Sequence, residues 1–261
     1  MTQNHPTNNN PQAPYNPYWG LWATLGLGFV VFVAFSIVQA IVLSTYALYL
    51  NNWQADSNLD SLIGSLVLNG DAIALAEIPS VLMGMGLIVL FIKLRHTLSI
   101  TQYLELYFPP LKTLLKWVGI IIVMIVLLEF ANHLLERETP DFMSKVYNST
   151  NNMPLLWFAI IIGAPFFEEY LFRGFLLEGL RKSVVGTMGA ILITSATWAV
   201  IHLQYEWFEI FTIFLIGILF AVAKIKTQSL YIPIAMHVLM NLSASILMAY
   251  LTENPVPTVT Q

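Results

Sequence analysis

The sequence contains no cysteine and has unusually few charged residues. Without cysteine the chain cannot form a disulfide, a thiolate nucleophile or a thiolate metal site. Charged residues make up 10% of the 261 residues, whereas a soluble domain usually contains about 25%. Apolar residues make up 57% of the chain and the mean hydropathy is +0.71. This composition is typical of a polytopic membrane protein and excludes an ordinary soluble domain.

Charge is also missing from the N-terminus, because residues 1–20 contain no Lys, Arg, Asp or Glu and are rich in Asn, Pro and Gln. Such a composition predicts a disordered tail. A signal peptide would need a basic n-region and a small-residue cleavage site, so we expect the first apolar segment to be retained. The absence of a basic patch also predicts that the protein does not bind nucleic acid.

Apolar residues occur in blocks of about 20, the length that a helix needs to cross roughly 30 Å of hydrocarbon. The sequence therefore predicts an all-α bundle of about seven transmembrane helices. The predicted spans are 21–50, 72–92, 111–135, 155–180, 184–203, 208–223 and 230–251.

The basic residues outside the spans are unevenly distributed between alternate loops. Eight lie in loops on the side of the N-terminus, and two, Arg137 and Lys145, lie in loops on the other side. Because cytoplasmic loops are enriched in Lys and Arg, the expected topology is N-in and C-out. We find no internal repeat of the kind that many transporters have.

The fourth predicted span contains two adjacent carboxylates and an arginine, Glu168, Glu169 and Arg173. Ionisable residues inside a membrane helix are costly and mark functional sites by default. Glu169 and Arg173 are four residues apart and should form an ion pair on one face. Glu168 projects about 100° away and is free to face a polar cavity as a general base. Pro165 should free a backbone carbonyl and kink the helix nearby. The alternative is a purely structural ion pair with Glu168 reaching toward water.

Two later spans carry further polar side chains at helical spacing. Trp198 and His202 share one face of the fifth span, and His237 and Asn241 share one face of the seventh. Depth estimates place these groups near the level of Glu168, provided that the helix before His202 begins near Met188. A lone histidine is more often a core residue, and asparagine often connects membrane helices, so neither pair is conclusive alone.

Other polar residues in the apolar blocks are weaker candidates. Glu77 lies in the second span, and Glu129 and His133 lie near the outer end of the third span, where a solvated pair is the simpler interpretation. Glu178 with Arg181 or the neighbouring Lys182 predicts an ordinary interfacial ion-pair face.

The order and spacing of three motifs resemble a known family. The motifs are Glu168-Glu169-x-x-x-Arg173, Trp198-x-x-x-His202 and His237-x-x-x-Asn241. Together they resemble the CAAX-protease and bacteriocin-processing (CPBP/Abi) family of intramembrane proteases, over roughly residues 155–251. The family usually has Phe at the position of Trp198, a difference that we expect to matter little. The resemblance divides the chain into a tail (1–20), N-terminal transmembrane helices (21–150), a catalytic transmembrane core (151–251) and a C-terminal tail (252–261).

The resemblance implies hydrolysis of a peptide bond in or beside the membrane. Glu168 would activate water with help from His202, while His237 and Asn241 would stabilise the oxyanion. Glu169, Arg173 and Trp198 would support the site.

Metal dependence stays open at this stage. Glu168, His202 and His237 could supply three ligands to a divalent ion such as zinc. The His-Glu-x-x-His motif of common zinc proteases is absent, however, so a metal-free mechanism is slightly favoured.

The expected partners are the lipid bilayer and a peptide or membrane-protein substrate, and the expected location is the bacterial inner membrane. Nothing in residues 1–150 distinguishes a prenylated peptide from a bacteriocin leader peptide. Two other functions fit the same composition: a transporter or channel that uses these residues as an ion path, and a non-catalytic membrane scaffold of the same fold.

Overall fold

The computed structural model describes residues 16–54 and 58–253, and these residues form helices without any β-strand. Most of the predicted N-terminal tail (1–15) and of the predicted C-terminal tail (254–261) lies outside the described residues. The helices are α1 (Leu21–Leu50), α2 (Asn58–Leu66), α3 (Gly70–Arg95), α4 (Ile100–Leu104), α5 (Leu111–Leu134), α6 (Asp141–Asn148), α7 (Met153–Arg181), α8 (Gly186–Val200), α9 (Trp207–Thr227) and α10 (Tyr231–Glu253).

Among the described residues, six helices are long and apolar enough to cross a membrane, namely α1, α3, α5, α7, α9 and α10. The fifth predicted span corresponds to α8, which is apolar but has only 15 residues. At about 1.5 Å per residue, α8 is too short to cross the hydrocarbon by itself. The protein is thus a polytopic all-α membrane bundle, as its composition predicted.

The membrane helices differ in how much of their surface the protein covers. The most apolar segments of α1 and α5 are 17% and 11% buried, whereas those of α3 and α7 are each 44% buried. Lipid can cover the exposed apolar faces of α1 and α5 without the cost that water would impose. The glutamate pair thus lies on one of the two membrane helices that the protein covers most, α7.

Helix α7 is irregular on both sides of its glutamate pair. Wider π-helical turns occupy Phe158–Gly163 and Tyr170–Leu176, and a regular α-helical turn, Ala164–Glu169, lies between them. Pro165, in that central turn, has no N–H with which to continue the ladder of hydrogen bonds. Short π-helical segments inside α-helices frequently mark functional sites.

The ordered chain begins before α1. Tyr18 is buried against the ring of Tyr103, with ring centroids 4.8 Å apart. The indole N–H of Trp19 donates to the Phe91 carbonyl at 3.1 Å. Residues 16–20 thus pack against the bundle, although the sequence assigned them to the tail.

A second cluster of buried charges joins the end of α7 to its neighbours. Glu178 and Lys224 are fully buried and in direct contact, and Arg181 bonds both Glu178 (2.6 Å) and Glu105 (3.2 Å). Lys224 also lies 2.8 Å from Glu105. The predicted pair of Glu178 with Arg181 is present, but Glu178 is fully buried rather than interfacial, because α9 supplies Lys224 and completes a buried network.

Candidate active site

Glu168 projects from the regular turn of α7 between the two π-helical segments. Its side chain is 15% exposed, whereas that of Glu169 is completely buried. The indole N–H of Trp198 donates a hydrogen bond to Glu168 Oε2. The two adjacent carboxylates therefore have different environments, as the helical spacing predicted, and only Glu168 faces open space.

The predicted ion pair between Glu169 and Arg173 is present, with Glu169 Oε1 and Arg173 Nη1 3.0 Å apart and both side chains fully buried. Arg173 Nη2 lies 3.4 Å from the Gly217 carbonyl. The guanidinium carbon lies 4.3 Å from the centre of the Trp198 ring, a cation–π arrangement. The arginine thus neutralises Glu169 and ties α7 to α8 and α9.

His237 connects the two glutamates. Its Nδ1 lies 2.9 Å from Glu169 Oε1, and its Nε2 lies 4.0 Å from Glu168 Oε2. Because a carboxylate only accepts hydrogen bonds, the Nδ1 atom carries a hydrogen and Nε2 points toward Glu168. Glu169 therefore sets the orientation of His237, a contact that the separate motifs could not reveal.

His202 lies in the turn that follows α8, since the helix ends at Val200. Its Nδ1 is 2.7 Å from the Trp198 carbonyl oxygen, which can only accept, so Nε2 remains the acceptor of the neutral ring. The rings of His202 and Trp198 meet edge to face, with centroids 5.4 Å apart. Helix α8 begins at Gly186, earlier than the start near Met188 that the depth estimate required, and His202 reaches the site from a turn instead.

Asn241 compensates for the proline in α7. The Ala164 N–H bonds to Ala159, and Pro165 has no N–H, so neither residue satisfies the Ile160 carbonyl. The Asn241 side-chain amide donates to that carbonyl at 2.7 Å. One of the two amide hydrogens of Asn241 is thus used to hold α10 against the irregular turn of α7.

Trp198 contacts more of the site than its sequence position suggested. Its ring packs edge to face on His202 and on His237, with the His237 centroid 5.3 Å away, and it lies under Arg173. A phenylalanine could make these ring contacts but could not donate a hydrogen bond to Glu168. Trp198 therefore adds a hydrogen bond to Glu168 that an aromatic ring alone would not supply.

Two cavities meet at Glu168 and His202. One has a volume of about 370 Å³ and is lined by all four predicted catalytic side chains and by Trp198. The other has a volume of about 430 Å³ and extends between α1, α3 and α7. The tertiary structure thus brings Glu168, His202, His237 and Asn241 together around one space.

Tyr205 is a polar residue of this space that the sequence reasoning missed. Its hydroxyl donates to the sulfur of Met143 at 3.1 Å, and its ring lies beside His202. Burial, and to a smaller extent the Glu168 carboxylate, raise the pKa of the Tyr205 phenol well above its usual value of 10.0. The phenol therefore stays protonated over the physiological range. No signal in the sequence separates Tyr205 from other loop tyrosines.

The weaker sequence candidates fall in different places. Glu77 is buried in α3, accepts a hydrogen bond from Gln39 at 2.9 Å, and lines the 430 Å³ cavity. Glu129 is exposed on α5 and does not line either of the two cavities. Of the two, only Glu77 lies in a space that reaches the site.

The donor types at the site suit a divalent metal, since two imidazole Nε2 atoms and one carboxylate face common space. Within residues 16–54 and 58–253, however, no group of three His, Cys, Asp or Glu side chains is close enough to hold an ion. The predicted metal ligands Glu168, His202 and His237 thus do not form a coordination site in this geometry.

Residues 150–243 match the family model described as "Type II CAAX prenyl endopeptidase Rce1-like". The predicted resemblance to CAAX proteases is confirmed. All three motifs fall inside the matched residues, so the resemblance rests on the segment that forms the site. Residues 1–149 and 244–261 lie outside the matched segment.

Two curated proteins are similar to this chain. A protein of Escherichia coli named "Uncharacterized 24.3 kDa protein" is 37% identical over 101 residues, which are 37% of this chain and 46% of that protein. The "Membrane-embedded CAAX protease MroQ" of Staphylococcus aureus (strain USA300) is 28% identical over 94 residues, which are 34% of this chain and 37% of that protein. The matches span less than half the length of either relative. No solved structure matches the chain with comparable significance.

Proposed function

We propose that this protein is an intramembrane endopeptidase that hydrolyses a peptide bond with water activated by Glu168. The observation that carries the proposal is the convergence of Glu168, His202, His237 and Asn241 on one cavity of about 370 Å³. A carboxylate base, two oriented imidazoles and an amide donor are the groups that water attack on an amide requires. The CAAX-protease likeness of residues 150–243 supports the same reaction class.

In the proposed reaction a water molecule lies between Glu168 and the His202 Nε2 atom. Glu168 removes a proton from this water as its oxygen attacks the carbonyl carbon, so that a tetrahedral intermediate forms. Glu168 then returns the proton to the leaving nitrogen, and the carbon–nitrogen bond breaks. The Trp198 N–H holds Glu168 in place during both steps.

His237 and Asn241 are proposed to stabilise the oxyanion of the intermediate. Because the His237 Nδ1 hydrogen already points at Glu169, the ring can donate from Nε2 only as an imidazolium. Glu169, 2.9 Å away, would stabilise that positive charge. Asn241 would use the amide hydrogen that Ile160 leaves free. Donors fixed in this way cost little reorganisation during the reaction.

The substrate is proposed to be a peptide or membrane protein that reaches the site from the bilayer, in an N-in and C-out protein of a bacterial inner membrane. The six helices long enough to cross a membrane support the multi-pass arrangement, and the N-in and C-out orientation further requires α8, together with the turn that follows it, to make a seventh crossing. The positive-inside distribution of Lys and Arg supports the orientation.

The test is cleavage of a synthetic library of apolar 14-residue peptides by the purified protein in detergent micelles, with products identified by mass spectrometry. Glu168→Gln, which keeps the size and the Trp198 contact, should lower cleavage by about 10³-fold. The control Glu129→Gln, a change at an exposed residue of α5, should cleave normally. Equal cleavage by the Glu168→Gln protein would overturn the proposal. Metal content and a chelator titration on the same sample would determine whether an ion takes part.

A further inference from the structure

The cavity between α1, α3 and α7 contains a polar pair that the proposed reaction does not use. Its volume is about 430 Å³, and Glu77 of α3 and Gln39 of α1 lie on its wall. The same cavity reaches Glu168 and His202, so it adjoins the catalytic space rather than a separate surface. A polypeptide that lies across Glu168 would therefore have one cavity on each side of its cleaved bond.

Glu77 is bonded to only one neutral group. The Gln39 side-chain amide donates to Glu77 Oε2 at 2.9 Å, and no lysine, arginine or histidine among the described residues forms an ion pair with this carboxylate. The residue is only 9% exposed. A buried carboxylate without a cationic partner is costly unless a cation or donor occupies the adjoining space.

The contrast with the other buried glutamates is direct. The described residues include four buried glutamates, and three of them, Glu105, Glu169 and Glu178, contact an arginine or a lysine. Glu77 has no such contact with any described residue. Within residues 16–54 and 58–253, the buried glutamates are therefore paired with cations except for Glu77 beside the cavity.

The cavity lining carries a net acidic character. It contains two carboxylates, Glu77 and Glu168, and no lysine or arginine. Apolar side chains make most of the remaining wall, including Phe32 and Phe35. A lysine or arginine side chain has the complementary form, because its apolar stem packs on hydrocarbon while its charged end needs an anion.

We propose that Glu77 and Gln39 form a specificity subsite that binds a lysine or arginine side chain of the substrate, close to the cleaved bond. The inference rests on the proposed peptidase function and adds the substrate class to it. Gln39 fixes one oxygen of Glu77, and the carboxylate bonds the incoming cation through its other oxygen. The bound substrate then supplies the positive charge that no described residue of the protein places beside Glu77.

The test compares wild type, Glu77→Gln and Glu129→Gln on the same synthetic peptide library, with paired peptides that carry either Lys or Met at one position. Wild type and Glu129→Gln should prefer Lys at one fixed position near the cleaved bond. Glu77→Gln should lower kcat/KM for the Lys peptide by about 10- to 100-fold and leave the Met peptide within about 3-fold. A Glu77→Asp protein, which keeps the charge, should retain part of the preference.

An unchanged Lys preference in Glu77→Gln, or an equal loss on Lys and Met peptides, would overturn the subsite. Binding separates this failure from that of the peptidase function. Fluorescence anisotropy with the Lys and Met peptides should show tighter binding of the Lys peptide to wild type, and that difference should vanish in Glu77→Gln. Binding without any cleavage would refute the peptidase function alone, whereas cleavage without the Lys preference would refute the subsite alone.

Discussion

Two clusters of buried charge lie on the same helix, α7, and differ in how well their charges are matched. Near its end, Glu178 and Arg181 join Glu105 and Lys224, so that two carboxylates meet two cations at 2.6 to 3.2 Å, apart from the still closer contact of Glu178 with Lys224. At its middle, two carboxylates, Glu168 and Glu169, lie near a single arginine, Arg173, which pairs with Glu169 only. The cluster near the end of α7 has equal numbers of carboxylates and cations, whereas the central cluster has one carboxylate more than it has cations.

The difference indicates what each cluster does. A balanced network in a dry environment keeps every charge compensated, which connects helices but leaves no group for chemistry. The central cluster compensates Glu169 with Arg173 and leaves Glu168 facing two cavities. Burial alone therefore does not identify the functional carboxylate. The functional carboxylate is identified instead by the number of arginine and lysine side chains that contact it.

The largest effect is expected at Glu168, the carboxylate of α7 that no arginine or lysine contacts. Replacing Glu168 with Gln should lower kcat/KM for peptide cleavage by about 10³-fold, because the amide cannot remove a proton from water. The melting temperature of the same sample should stay within a few degrees of wild type, since Gln can still accept from Trp198. A large fall in melting temperature would mean that Glu168, like Glu178, has a structural role.

The balanced cluster should show the opposite behaviour. Lys224→Met leaves Glu105 and Glu178 with a single arginine between them, and should destabilise the fold by about 3–5 kcal/mol. Thermal unfolding in detergent, followed by tryptophan fluorescence, measures this loss. Lys226→Met, which removes an exposed lysine from the same helix, is the matched control. Both variants should retain activity per folded molecule. A loss of activity in Lys224→Met alone would contradict a purely structural role for this cluster.

Asn241 has two proposed roles, the structural hydrogen bond to Ile160 and the stabilisation of the oxyanion, and they can be separated by mutation. Asn241→Ala removes the donor to Ile160 and should lower kcat/KM by about 10²-fold. Adding Pro165→Ala restores a backbone N–H next to the unsatisfied carbonyl and should recover about 10-fold of that loss. Pro79→Ala, which changes the proline inside α3, should recover nothing. If the Pro165 change also recovers nothing, the Ile160 contact does not contribute to activity.

The smallest effect is expected at Trp198. Trp198→Phe keeps an aromatic ring between the two histidines but removes the donor to Glu168, and kcat/KM should fall by about 10-fold with little change in KM. Steady-state kinetics on one cleaved library peptide measures this. Trp207→Phe alters an indole that is 83% exposed and should have no effect. Wild-type activity in Trp198→Phe would show that Glu168 needs no indole donor.

Local pattern was a good guide wherever neighbours in sequence decide the contact. The spacing of four residues between Glu169 and Arg173 correctly predicted their ion pair. The different direction in which Glu168 projects from the helix correctly predicted that it faces a cavity. For Glu178 the predicted pair with Arg181, three residues away, is present, whereas its contact with Lys224 of α9, 46 residues along the chain, was missed. His237 with Glu169, 68 residues apart, was missed for the same reason.

The sequence by itself determined that this protein is a helical membrane bundle with two adjacent carboxylates in one span, where ionisable side chains are energetically costly. It could do so because hydropathy and the 3.6-residue period are local properties. Only the tertiary structure decided which carboxylate is compensated, which histidine nitrogen faces Glu168, and that Asn241 satisfies the carbonyl that Pro165 cannot. These outcomes depend on distances between α7, α8, α9 and α10. Side chains from separate helices meet only when the helices pack, and no local pattern specifies that packing.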